Sequence, residues 1–184
     1  MHTVIHQRNM KIHLTAAAMV SLVGSGMPLG LAEKVTLIFC VLLVFFAEIL
    51  NSALEQLVDL ATEELHPNAG LAKDAAAAGV LVLSIGTMVI FTAIIFHNFE
   101  SILTVGSGIF RQAILGVPLT VLMLILVYGG RRPVWVDALI FTSTLVLWVA
   151  ITINTYSTVF SAMTLGLIFI CASASWRRRQ QTMA

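Results

Sequence analysis

Six of the nine acidic residues lie between positions 48 and 74, as Glu48, Glu55, Asp59, Glu63, Glu64 and Asp74. Residues 48–59 read Glu-Ile-Leu-Asn-Ser-Ala-Leu-Glu-Gln-Leu-Val-Asp. On a helix advancing about 100° per residue, Glu48, Asn51, Ser52, Glu55 and Asp59 share an arc of about 100°. The rest of that turn is apolar, with Ile49, Leu50, Ala53, Leu54, Leu57 and Val58. Hard oxygens on the same face suit Mg²⁺, an ion normally shared between one or two carboxylates and substrate phosphates. Lys73 and Asp74 follow after a break at Pro67 and Gly70, which reads as a short turn at the membrane mouth. Lysine supplies a compact cation for phosphate. The chemistry these residue types suggest is the binding of a divalent cation together with phosphate.

The elements that position these groups must be membrane helices. The 184-residue chain is 59% hydrophobic and 10% charged, with a mean hydropathy of +0.98. Soluble domains carry about 25% charged residues, so an ordinary water-soluble enzyme is excluded, as is a disordered chain. A net charge of +1 offers no basic surface for nucleic acid. Cys40 and Cys171 stand alone in apolar runs without metal-ligand spacing. About 20 apolar residues are needed to cross a bilayer. On that basis six spans are expected, near 14–31, 35–60, 76–97, 113–129, 138–154 and 157–175. The joint at Asn154-Thr155-Tyr156 is tight enough that the last two spans could instead form one hairpin that does not fully cross.

Basic residues orient the spans. With both termini cytoplasmic, Arg8, Lys11, Lys73, Arg131, Arg132 and Arg177 to Arg179 face inward, and only Lys34 and Arg111 face outward. Trp135 and Trp176 flank basic clusters at the expected interfaces. Glu48 then lies about 20 Å into its span at 1.5 Å per residue. A carboxylate there costs on the order of 2–3 kcal/mol if it faces lipid, so the acidic stripe should face protein or water.

The spaced set Glu48-x-x-Asn51-Ser52-Ala53-x-Glu55-x-x-x-Asp59, then Glu64-x-His66-Pro67, then Ala72-Lys73-Asp74, resembles the signature of the prokaryotic diacylglycerol kinase and undecaprenol kinase family. The segment Arg8-Asn9-Met10-Lys11-Ile12-His13-Leu14 resembles that family's approach to its first span. The likeness covers about residues 6–97. It implies a three-span lipid-kinase helical bundle at 1–98, and with the apolar runs that follow the chain is expected to be an all-α integral membrane protein with an extension at 99–184 of about three further transmembrane helices. It further implies a homotrimer in the bacterial inner membrane that moves the γ-phosphate of ATP to the hydroxyl of diacylglycerol or undecaprenol. By resemblance, Glu48 is the general base, Asn51 positions the reacting groups and Glu55 ligates Mg²⁺. Glu64, His66, Lys73 and Asp74, with Glu55, hold the nucleotide, while Ser52 and Asp59 complete the site face.

The chain departs from the family pattern in three places. Gln7 stands where the family usually has an acidic metal ligand, and its carbonyl is a weaker, uncharged donor. Only Met1 to His6 precede the motif, where the family has an amphipathic surface helix. Residues 98–184 have no counterpart in the minimal kinase. Arg131-Arg132-Pro133 superficially resembles part of a lipid phosphatase motif, but the last histidine is His97, so a histidine-nucleophile phosphatase cannot reside in that half alone. No Walker A or GxGxxG sequence occurs, which excludes a soluble-type nucleotide fold as the ATP site. Two rival readings each explain part of the sequence. An inactive pseudokinase scaffold accommodates Gln7. A small transporter using intramembrane carboxylates accounts for the acidic stripe but not for Lys73-Asp74.

Overall fold

The structure is a computed structural model that describes residues 8–61, 67–130 and 132–180. Among these residues there are seven helices and no strand. They are α1 (Arg8–Ser25), α2 (Leu31–Ala61), α3 (Pro67–His97), α4 (Phe99–Thr104), α5 (Gly106–Tyr128), α6 (Val134–Ile153) and α7 (Thr158–Gln180). By length and composition five are fit to cross a membrane: α2, α3, α5, α6 and α7 from Thr158 to Arg177. The chain is an all-α integral membrane protein.

The expected first span near 14–31 requires correction. Its helix starts six residues earlier, stops at Ser25, and is not among the five apolar enough to cross by composition. Pro28 disfavours helical backbone at the residue before it, so the chain leaves the helix at Gly26 and Met27. Pro67 also acts differently from the expected break. It is the first residue of α3, where its fixed φ and missing N–H cost nothing, and Gly70 is helical. The expected joint between His97 and Arg111 is itself mostly helical, formed by α4 and the start of α5. At 20 and 23 residues, α6 and α7 are about 30 and 34 Å long. Each is long and apolar enough to cross a membrane by itself.

Contacts divide the chain into two compact units, one of Met1–Lys34 with Asn98–Ala184, the other of Val35–His97. This partition differs from the expected boundary near residue 98, because α1 packs on α5 and α7. In the first unit α1 runs antiparallel to α5. Lys11 lies over the Tyr128 ring, 5.1 Å from its centroid. Leu22 reaches Gly116, and Gly26 lies against Ile109 and Gln112. A mixed-polarity helix of about 27 Å is thereby covered along most of the depth of an apolar one.

Small and hydroxyl-bearing residues make the closest approaches, as helices in lipid require when no hydrophobic force drives them together. Gly24 faces the ring of Phe160, which is wholly buried. Ser21 Oγ donates to the Phe160 carbonyl at 2.8 Å and lies 2.6 Å from Thr164 Oγ1. The Trp148 ring N–H donates to the Ser161 carbonyl at 2.8 Å, joining α6 to α7. The described basic side chains sort by end. Lys11, Arg132 and Arg177 gather where α1 and α6 begin and α5 and α7 finish, while Arg111 lies toward the opposite end.

The second unit holds α2 beyond its first turn and all of α3. Gly30 precedes the first residue of α2, and its N–H donates to Glu33 Oε2 at 2.8 Å, the reach-back half of a capping box. Along α2 the buried positions are Leu37, Cys40, Val41, Val44, Glu48, Asn51 and Ser52. Their spacing of three and four is one helix face, apolar at its start and polar toward its end.

Candidate active site

The polar half of that face is built by helix geometry alone. Glu48, Asn51, Ser52 and Glu55 stand at i, i+3, i+4 and i+7, so each lies one or two turns above another. Glu48 is 1% exposed and Asn51 4%, so the stripe leaves lipid as its cost in hydrocarbon demands. Ser52 Oγ donates to the Glu48 carbonyl at 2.7 Å, which ties down its hydroxyl within the helix. Asn51 Nδ2 donates to Glu55 Oε1 at 3.0 Å. Because a carboxylate only accepts, this bond fixes which end of the amide points where. The other end, Asn51 Oδ1, is buried and accepts no hydrogen bond among the described residues.

Glu55 is half-buried, and Asp59, one turn on, is exposed. The face thus runs from a buried carboxylate to a solvated one over 11 residues, about 16 Å at 1.5 Å per residue. At its outer end Lys73 Nζ forms an ion pair with Asp59, joining α3 to α2. Lys73 is partly exposed and Asp74 exposed. The structure therefore brings together Glu48, Asn51, Ser52 and Glu55 on one face, and Asp59 with Lys73 at its mouth. It does not bring Asp74 into that group. Gln7, Glu64 and His66 lie outside the described residues.

The donor set fits a hard divalent cation. Glu48 and Glu55 stand one turn before and one turn after Asn51 on the same helix face, and Mg²⁺ favours carboxylate and amide oxygens with its remaining positions filled by water and phosphate. Among the described residues no group of three or more His, Cys, Asp or Glu side chains could hold a metal unaided. A metal here would be shared with its substrate.

Comparison with known proteins identifies the family. The model of the family described as prokaryotic diacylglycerol kinase matches residues 1–96. The chain belongs to the prokaryotic diacylglycerol kinase family. It is accordingly an ATP-dependent lipid kinase. It is 37% identical over 84 residues to the undecaprenol kinase of Bacillus subtilis, covering 46% of this chain and 68% of that one. It is 39% identical over 66 residues to the diacylglycerol kinase of Escherichia coli K12, covering 36% of this chain and 54% of that one. No solved structure matches the chain. The family match ends at residue 96, so the helices that hold α1 lie beyond it.

Sequence reasoning missed two features. The first is the bridge from Asn51 to Glu55, whose signal was present as an amide and a carboxylate at i and i+4. The second is the attachment of α1 to the second half, signalled only by isolated hydroxyls such as Ser21 and Thr164 in apolar surroundings.

Proposed function

We propose that this lipid kinase phosphorylates the hydroxyl of diacylglycerol or undecaprenol on the buried face of α2, with Glu48 as general base. The observation that carries the reading is the graded face itself, in which buried Glu48 lies two turns from Glu55 with Asn51 bonded to Glu55 between them. Glu48 lies deep enough for a lipid hydroxyl, and Lys73 lies where ATP would arrive from water. The lipid oxygen attacks the γ-phosphorus, the bond from that phosphorus to the β–γ bridging oxygen breaks, and ADP leaves. Glu48 takes the hydroxyl proton. Glu55 and the Asn51 carbonyl would hold Mg²⁺, with Gln7 as a weak additional ligand. When bound, the ion neutralises phosphate charge. Lys73 steadies the phosphates with Asp74, Glu64 and His66, and Ser52 keeps the face in register.

We place the basic end of the first unit in the cytoplasm, following the excess of Lys and Arg on that side. Both termini then lie there, in a bacterial cytoplasmic membrane, with α1, which composition alone does not qualify as a span, carried across by its packing on α5 and α7. Residues 1–98 form the kinase-like domain in this reading, and 99–184 a membrane extension that supports α1. A homotrimer is proposed from the family resemblance. The long α3, with only Val80 buried among its residues, has apolar surface to give to such an assembly. The test is transfer of labelled phosphate from ATP to each lipid, offered separately in mixed micelles with Mg²⁺. Label on one lipid identifies the substrate. No label on either, from folded full-length protein, would overturn the reading.

A further inference from the structure

Between α6 and α7, at the basic end of the first unit, lies a cleft of ≈ 590 Å³. That is within the range of small-molecule sites, about 300–1,000 Å³. Its body is apolar, made by Leu126, Phe141 and Phe169, the two rings 6.2 Å apart between centroids. Its rim is polar. Asp137, Ser173, Ser175 and Arg177 line it there, beside a largely exposed Trp176. Asp137 is already engaged, accepting from Ser175 Oγ at 2.6 Å and standing 4.0 Å from Arg132 Nη1. Arg132 Nη2 donates to the Ile125 carbonyl at the end of α5. Arg177 makes no hydrogen bond or ion pair among the described residues, so it is the cation at the rim with its donors to offer. The cleft also receives the first turn of α6, from Val134 to Asp137, whose N-terminal partial charge favours an anion.

A site with an apolar body and a cationic rim suits an amphiphile. Arg177 stands eight residues along α7 from Phe169, about 12 Å at 1.5 Å per residue. That separation places a charged group at the level of Trp176, where headgroups lie, and hydrocarbon at the level of the rings. A soluble anion such as a nucleotide leaves the apolar body unfilled, and a zwitterionic lipid gains less from Arg177. We propose that this cleft binds an anionic diacyl phospholipid, its phosphate at Arg177 and one acyl chain along Phe141 and Phe169. The site is remote in sequence from the phosphoryl-transfer face and stands independently of which lipid the kinase phosphorylates.

The test is retention of phosphatidylglycerol against phosphatidylcholine by the purified full chain, counted by native mass spectrometry after detergent exchange. One interfacial arginine contributes about 1 kcal/mol, or about fivefold in affinity. Wild type should retain phosphatidylglycerol at least about fivefold better, Arg177→Gln should erase most of that preference, and Arg177→Lys should keep it. Ala172→Phe, which fills the cleft, should lower retention of both lipids while ATP-dependent lipid phosphorylation, the check on folding, is preserved. Equal retention of the two lipids by wild type would overturn the proposal. So would an undiminished preference in Arg177→Gln, or full retention by Ala172→Phe.

Discussion

Replacing Asn51 by alanine removes one hydrogen bond and one amide oxygen from the middle of the acidic face, and the structure sets the size of the effect. The bond from Asn51 Nδ2 to Glu55 Oε1 is 3.0 Å long and ends on a carboxylate. Hydrogen bonds to charged groups contribute about 1.5–3 kcal/mol. At about 1.4 kcal/mol per factor of ten, loss of the bond lowers kcat/KM by about 10- to 150-fold if Glu55 must be held in place to work. Asn51 is almost fully buried within α2 and alanine is the best helix former, so the helix itself should survive. Initial rates of phosphate transfer to lipid, measured across a Mg²⁺ titration, read the effect. Asn51→Ala should need more Mg²⁺ for half-maximal rate, because it loses both the oriented carboxylate and the spare Oδ1. Asn51→Asp keeps an oxygen but sets a second negative charge beside Glu55, so it should restore tight Mg²⁺ dependence while remaining slow. Unchanged rates and an unchanged Mg²⁺ requirement in Asn51→Ala would refute the role given to this bridge.

Three further perturbations follow from named contacts. A Cβ on Gly24 would stand 2.6 Å from atoms of the fully buried Phe160 ring, so Gly24→Ala should lower stability in detergent by about 1–3 kcal/mol, read as a shift in Tm. Ser21→Ala and Thr164→Val each remove one side of the α1–α7 hydroxyl pair. Each should cost about 0.5–2 kcal/mol, and a double-mutant cycle should show them non-additive. Lys73→Gln should raise the KM for ATP several-fold, whereas Asp59→Asn, which frees Lys73 from an exposed ion pair of small energetic worth, should lower that KM or leave it unchanged. A rise in KM with Asp59→Asn would show that Asp59 itself contacts the nucleotide complex.

The acidic face was legible in the sequence because an isolated helix fixes it. Glu48, Asn51, Ser52 and Glu55 share a side by periodicity alone, and the cost of carboxylate in lipid demands that the side be covered. The pairing of Lys73 with Asp59 was legible only as nearness to a common mouth. The first helix was misplaced because its apolar run continues through Met27 and Leu29, both of which are buried in the structure. Hydropathy counted them as span, while Gly26 and Pro28 had already ended the helix. The start of α3 failed for the opposite reason. A proline was taken as a breaker, yet its preferred place in a helix is the first position. Which helices adopt α1 left only a faint trace in the sequence, isolated hydroxyls such as Ser21 and Thr164 that do not name their partners. That choice rests on shape, with Leu22 against Gly116 and Phe160 against Gly24, and shape complementarity between distant segments leaves no periodic trace.

Glu48 is the residue on which the proposed phosphoryl transfer depends most. The most direct measurement is phosphate transfer by Glu48→Gln, with kcat and the KM for ATP determined separately in the wild type's best lipid. A positioned general base contributes about 10²- to 10⁴-fold. The account predicts a fall of that size in kcat with the KM for ATP nearly unchanged, because Lys73 and Glu55 remain. A Glu48→Gln enzyme within a few-fold of wild type, or one that loses ATP affinity instead of kcat, would contradict it.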